Sequence, residues 1–156
     1  VRASVPDRLI DHDPRTAADP PITRAESVRR LKTALLRDIE WLLNTRRTPE
    51  TAGEAYAEVQ RSLYHYGLPD TTSMSADSPA DRQRLLGLVE EVVRIFEPRL
   101  MNVRVSPGAA VEGRGRHIRF VIEGVLRLDP EPERIVFDTI LEGASGKFLV
   151  TGGPDA

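Results

Sequence analysis

The sequence predicts an α+β fold, with N-terminal helices packed on a small C-terminal antiparallel sheet of about three strands, and three observations carry that prediction. Apolar residues recur at helical spacing up to Phe96, they alternate from Met101 onward, and Glu97-Pro98-Arg99 stands between the two regimes. Proline fixes its own φ and pushes the preceding residue toward extended geometry, so a helix running into Phe96 ends there and the chain leaves as a strand. An acid and a base are thereby held at opposite ends of a rigid bend. The plain alternative is a helix stop flanked by two solvated charges.

The chain in order supports this division. Residues 1–22 read as an extended N-terminal arm: Pro6, Pro14, Pro20 and Pro21 break any helix, while Val5, Leu9 and Ile10 form a small apolar cluster that frays or docks on a partner. Thr23-Arg24-Ala25-Glu26 has the form of a capping box, and from there Val28, Leu31, Leu35, Ile39 and Leu42 make one stripe of a helix, widened by Leu36 and Leu43. Arg46 and Arg47 are expected in its last turn, facing the negative end of the dipole. Trp41 is the one tryptophan, a candidate core or interface anchor. Thr51 to Tyr66 reads as a short helix containing Ala52, Ala55, Ala57, Val59 and Leu63 and closed by Gly67.

Ser78-Pro79 restarts a helix whose buried stripe is Leu85, Leu88, Val89, Val92 and Phe96. After the bend, Met101, Val103 and Val105 mark one face of a first strand, Ile118, Phe120, Ile122, Leu126 and Leu128 that of a second, and Ile135, Phe137, Thr139 and Leu141 that of a third. Gly143 to Gly146 is read as the end of the sheet. The expected organisation is an arm (1–22), one α+β domain (23–143) and a C-terminal tail (144–156).

Composition narrows the function. A chain of 156 residues, 40% hydrophobic and 29% charged, is one ordinary domain. No apolar run approaches the roughly 20 residues that span a bilayer. Val1 to Pro14 carries acids and prolines where an export signal needs an apolar run, so no export is expected. Cysteine is absent, which excludes disulfides, a thiol nucleophile and cysteine-based metal sites and suits a reducing cytoplasm. Lys plus Arg (22) nearly balances Asp plus Glu (24), so no global field recruits nucleic acid. Arg104, Arg114, Arg116 and Arg119 are the local candidates for a basic patch, but 5% aromatic residues give no stacking platform.

Catalytic patterns are equally thin. His12, His65 and His117 lack metal-ligand spacing, no nucleophile elbow or phosphate-binding loop occurs, and Glu90, Glu91 and Glu97 offer only the carboxylate pairs that any acidic helix offers. No enzyme, cofactor or metal is therefore expected. A small sheet, by contrast, leaves edges whose N–H and C=O groups a partner strand could satisfy. In a simple three-strand meander those edges are the first and third strands.

Five blocks in a fixed order add a resemblance: Ser4 to Asp11, Arg37 to Arg47, Ser62 to Asp70, Phe96 to Leu100, and Phe137-Asp138-Thr139. Together they resemble the TssE family of type VI secretion baseplate subunits, which is similar to the wedge protein that initiates the sheath in contractile phage tails. The resemblance implies a structural, cytoplasmic role at a baseplate docked on the inner membrane. It implies wedge partners TssF and TssG, with TssK as a further candidate, and initiation of the TssB and TssC sheath. It implies protein-interaction residues among Glu97, Pro98 and Arg99, and it sits with the separate candidates Leu9, Ile10 and Trp41. Pro6 and His65 depart from the pattern. The alternatives are an anti-adaptor-like regulatory binding protein of related fold and a lysozyme-like hydrolase.

Overall fold

A computed structural model describes residues 23–50, 52–53, 55–109 and 117–152. Helix α1 (Arg24–Asn44) begins where the Thr23 hydroxyl accepts from the Glu26 amide at 3.3 Å. The Glu26 carboxylate turns instead to Arg30, 2.8 Å away on the next turn, a pairing of the usual i,i+4 kind. The helix ends at Asn44, so Arg46 and Arg47 lie beyond its last turn, which contains no basic residue. This corrects the expectation of cations at the dipole's negative end.

A single turn, α2 (Ala57–Gln60), and a 3₁₀ turn (Leu63–His65) follow. Among the described residues, the short helix expected over Thr51 to Tyr66 is reduced to these two turns; Leu63 is 84% exposed and His65 is the buried residue. His65 Nε2 accepts from the Ala52 amide at 3.4 Å, a polar contact that apolar spacing does not reveal. At Gly67 the chain runs back against the end of α1. The Leu68 amide donates to the Thr45 carbonyl and the Arg47 amide to the Leu68 carbonyl, both at 2.9 Å. The positive φ of 99° and a virtual Cβ only 2.2 Å from the Thr45 oxygen both require glycine there.

Helix α3 (Pro79–Phe96) starts with the Ser78 hydroxyl accepting from Asp81 and proline in the first turn. Four strands then run as an antiparallel meander in spatial order: β1 (Leu100–Pro107), β2 (His117–Leu126), β3 (Glu133–Glu142) and β4 (Phe148–Gly152). The expected count of three strands is corrected by β4, which lies along β3 with Phe148 opposite Leu141 and Gly152 opposite Phe137. The glycine-bounded stretch read as an ending is a hairpin turn, closed by the Gly146 amide on the Glu142 carbonyl at 2.8 Å and the Glu142 amide on the Lys147 carbonyl at 2.9 Å. Strand β3 is consequently interior, and the edges of the sheet are β1 and β4.

One face of the sheet carries the core. Phe120, Ile122, Leu126, Ile135 and Phe137 point from the central strands toward Leu35, Ile39, Leu85, Val89 and Val93 of the helices, all of them essentially inaccessible. Burial of side chains this size stabilises the fold by about 1.5–3 kcal/mol each. Helix α3 lies along β1 and α1 along β4. In β1 the inward residues are Leu100 and Val103, not Met101, because a bulge between Met101 and Arg104 inserts one residue. Asn102 occupies that bulge at φ 52°, a left-handed conformation that asparagine tolerates better than most residues.

Candidate functional site

The bend at Glu97-Pro98-Arg99 folds back on itself. Glu97 ends α3, its amide still donating to the Val93 carbonyl at 2.9 Å, and its side chain is only 6% exposed. Arg99, two residues on at the entry to β1, grips it with both arms of the guanidinium: Nε donates to Oε1 at 2.6 Å and Nη2 to Oε2 at 2.5 Å. The Arg99 amide adds a longer bond to Oε1, at 3.3 Å. Pro98 is the exposed member of the motif. It holds the two charged residues in a turn tight enough for one to chelate the other.

Arg99 does not stop at Glu97. Its Nη2 also donates to Asp38 Oδ2 at 2.6 Å, 61 residues away on α1. The other oxygen of Asp38 accepts from Arg37 Nε at 3.1 Å and Nη2 at 2.8 Å. The Arg37 guanidinium in turn lies over the Trp41 ring, 4.9 Å from its centroid, and that indole is 60% exposed. A continuous relay thus runs from a buried carboxylate to an exposed aromatic surface. Charge-assisted, forked bonds of this kind are short and directional.

The electrostatics follow from the geometry. The hydrogen bond to Glu97 holds the Arg99 guanidinium above its ordinary pKa, against the opposing effect of burial and with further help from the charges of Glu97 and Asp38. Tyr66 packs edge-on against Phe96, with ring centroids 5.3 Å apart. Burial first, then the negative charges of Asp38 and Glu97, raise its phenol above the ordinary value. Arg99 Nη1 is buried and has no partner among the described residues.

Of the residues singled out in the sequence, Glu97, Pro98, Arg99 and Trp41 belong to this one cluster, whereas Leu9 and Ile10 lie outside the described residues. Trp41 is not a core residue. Arg37 and Asp38 fall outside the apolar stripe of α1, on its other faces. The i,i+4 spacing of Arg37 and Trp41 is the signal that a cation–aromatic pair leaves in a helix. No local pattern points from Asp38 to Arg99. Among the described residues, no group of three or more His, Asp or Glu side chains is placed to hold a metal ion, and no helix is long and apolar enough to cross a membrane.

Two helices backing a four-stranded meander, with the organised charges spent on one another and an aromatic surface at the end of the chain of bonds, define a small α+β structural domain. The chain belongs to the family of baseplate wedge protein gp25, whose sequence profile matches residues 29–131, from the first turns of α1 to the turn after β2. A solved structure described as "The baseplate complex from the type VI secretion system" contains a chain to which this one is similar. The two are 19% identical, the match covers 73% of this chain and 96% of that one, and the TM-score is 0.47. No curated protein matches.

Proposed function

We propose that this protein is a structural baseplate subunit of a type VI secretion system, joining the wedge proteins TssF and TssG and starting polymerisation of the TssB and TssC sheath. The observation that carries the reading is the wedge-family match over residues 29–131, which includes both long helices, the Glu97-Pro98-Arg99 bend and the first two strands. In this reading the subunit works in the cytoplasm, at the baseplate docked on the inner membrane, with TssK as a further neighbour. It makes contacts and catalyses nothing.

The relay divides the labour. Glu97, with both oxygens held by Arg99, braces the junction of α3, β1 and α1, while Trp41, Arg37 and Pro98 form the surface offered to a wedge protein. Exposed aromatic and arginine side chains are the residue types that dominate protein interfaces. Val5, Leu9 and Ile10 of the arm supply a second, apolar contact. The sheet supplies a third, by accepting a strand from the first sheath ring on an edge.

Co-purification with TssF and TssG tests the first contact. Trp41→Ala leaves the melting temperature within about 2 °C, as for an exposed substitution, and abolishes co-purification; full retention of both partners by this variant refutes the surface. Incubation of the purified protein with peptidoglycan, with and without divalent metal, releases no fragments above buffer. Release that Glu97→Gln or Glu91→Gln abolishes would establish a hydrolase instead.

A further inference from the structure

Between Ala52 and Tyr66 the chain adds almost nothing to the core. Of the described residues in that span only His65 is buried, and α2 buries none of its own. The span is nevertheless closely tied. Both main-chain groups of Ala52 are taken, its amide by His65 Nε2 and its carbonyl by Gln60 Nε2 at 2.7 Å. Ser62 Oγ donates to the Val59 carbonyl at 2.8 Å and accepts from the Tyr64 amide at 3.3 Å, and the Tyr66 amide closes the 3₁₀ turn on the Leu63 carbonyl at 3.2 Å. The Tyr64 phenol donates to Glu50 at 3.4 Å, and its ring stands edge-on to His65. Leu63, with 84% of its surface exposed, is the side chain that this net holds outward.

A single exposed apolar residue is normal on any protein, so exposure alone assigns nothing. Distribution does. Among the described residues the large exposed apolar and aromatic side chains are Trp41, Tyr56, Leu63, Tyr64 and Ile95. Three of the five belong to this span, and the other two stand on the helices to which it is fastened. The Trp41 carbonyl accepts from Thr45 Oγ1, and the Thr45 carbonyl accepts from the Leu68 amide just past the span. Ile95 precedes Phe96, against whose ring Tyr66 packs. The span therefore continues the Trp41 surface. We propose that Leu63 is an anchor of the contact with the wedge proteins TssF and TssG, entering an apolar pocket on them, with Tyr56 and Tyr64 at its rim. This rests on the wedge-subunit reading and adds to it the anchor and the chemistry of what receives it.

The pocket is apolar because the span has little else to offer. Leucine has no polar atom, and the Tyr64 hydroxyl is already engaged with Glu50. A charged or polar partner surface laid over Leu63 would lose its hydration and gain no bond in return. The bracing has a consequence for affinity. A turn fixed before the encounter loses little conformational freedom in it, so burial of the leucine appears in the binding free energy almost undiminished.

Titration of the full chain with purified TssF and TssG reads the anchor directly. Leu63→Ala binds about tenfold to 150-fold more weakly than the wild type, as for one leucine withdrawn from an apolar site. Leu63→Met, which keeps the apolar volume, recovers most of that loss. The urea midpoint of both variants is that of the wild type, because the side chain is exposed in the free protein. The chain has no cysteine, so Leu63→Cys supplies a single thiol whose alkylation is followed by the mass of this chain. With the wedge proteins at about ten times that variant's Kd, alkylation slows about tenfold, since only the unbound fraction reacts. Leu63→Ala affinity within about twofold of the wild type, or an alkylation rate that TssF and TssG leave unchanged, overturns the anchor; if Trp41→Ala still loses both partners, the wedge reading stands without it. Protection of the thiol by TssB and TssC and not by TssF and TssG overturns the choice of partner, as does a dimer of the wild type in sedimentation that Leu63→Asp abolishes. A wild type that binds neither wedge protein removes the wedge reading itself, and this inference falls with it.

Discussion

Replacing Arg99 by Met tests whether the bend is held by its charges or only by its backbone. The substitution keeps most of the apolar length of the side chain and removes the partner of a carboxylate that is 6% exposed. Glu97 is left with one long bond, from the backbone amide of residue 99 at 3.3 Å. Stranding one member of a buried ion pair costs about 3–5 kcal/mol. Here Arg99 and Asp38 retain 22% and 23% of their side-chain exposure, and Asp38 keeps Arg37, so the loss is nearer about 2–4 kcal/mol. For a protein of this size that lowers the melting temperature by about 5–15 °C.

Urea unfolding is the assay, because an unchanged slope with a lower midpoint isolates stability from any change in the denatured state. Adding Glu97→Gln to Arg99→Met removes the stranded charge and restores part of the loss. The two substitutions therefore couple by about 1–3 kcal/mol. An Arg99→Met loss below about 1 kcal/mol, or additive single and double variants, would refute the argument and return the tripeptide to a helix stop with two solvated charges.

The same unfolding experiment distinguishes several other features. Lys32→Met is nearly neutral, within about 1 kcal/mol, because its partner Glu133 at 2.7 Å is 44% exposed and turns to water when left alone; a loss as large as that of Arg99→Met would contradict this. Gly67→Ala lowers stability by about 1–3 kcal/mol, since a Cβ meets the Thr45 carbonyl oxygen at 2.2 Å and φ is 99°; an unchanged midpoint shows that α1 can yield there. Thr139→Val raises stability by about 1 kcal/mol, as the Thr139 hydroxyl is fully buried with no partner among the described residues; a lower midpoint means the hydroxyl is satisfied. For Tyr66, whose folded-state pKa lies above the ordinary 10.0, stability is complete below pH 10 and falls as pH rises through the folded value, because the unfolded chain ionises first. Tyr66→Phe removes that part of the alkaline loss, read as a smaller drop in urea midpoint from pH 9 to pH 11; parallel drops in both proteins would show that Tyr66 is not responsible.

The helices and the two central strands were legible because their burial is periodic: Leu31, Leu35, Ile39 and Leu42 in α1, and Phe120, Ile122, Ile135 and Phe137 in the sheet, fall where spacing alone puts them. Legibility fails where one residue changes the phase. Asn102 resets β1, so Leu100 and not Met101 faces inward, and nothing in the alternation of Met101, Val103 and Val105 announces a left-handed residue between them. Strand β4 was hidden for a related reason: it is five residues long and lies between glycines, which serve equally as a hairpin turn and as an ending. In the candidate site, the bend itself was visible from Pro98. Its bond to Asp38 was not, because a contact across 61 residues depends on how α1 is placed against the sheet.

That placement has a polar logic of its own. Apolar burial along the α1 stripe is non-directional, and by itself it tolerates rotation and sliding of the helix over the core. Besides Arg24, whose Nη2 reaches the Asp129 carbonyl at 3.5 Å, three side chains of α1 make long-range bonds at six-residue intervals: Lys32 to Glu133 at the start of β3, Asp38 to Arg99 at the entry to β1, and Asn44 to Phe148 at the start of β4. Six residues correspond to about 9 Å of helix, so the ties sit at separate heights, and each ends on a different strand or strand entry. Sliding α1 along its axis breaks all three at once, and rotating it withdraws Asp38 and carries Trp41 with it. The orientation of the exposed indole is therefore fixed by bonds made elsewhere on the same helix. An interface on this surface is preorganised without any contact of its own.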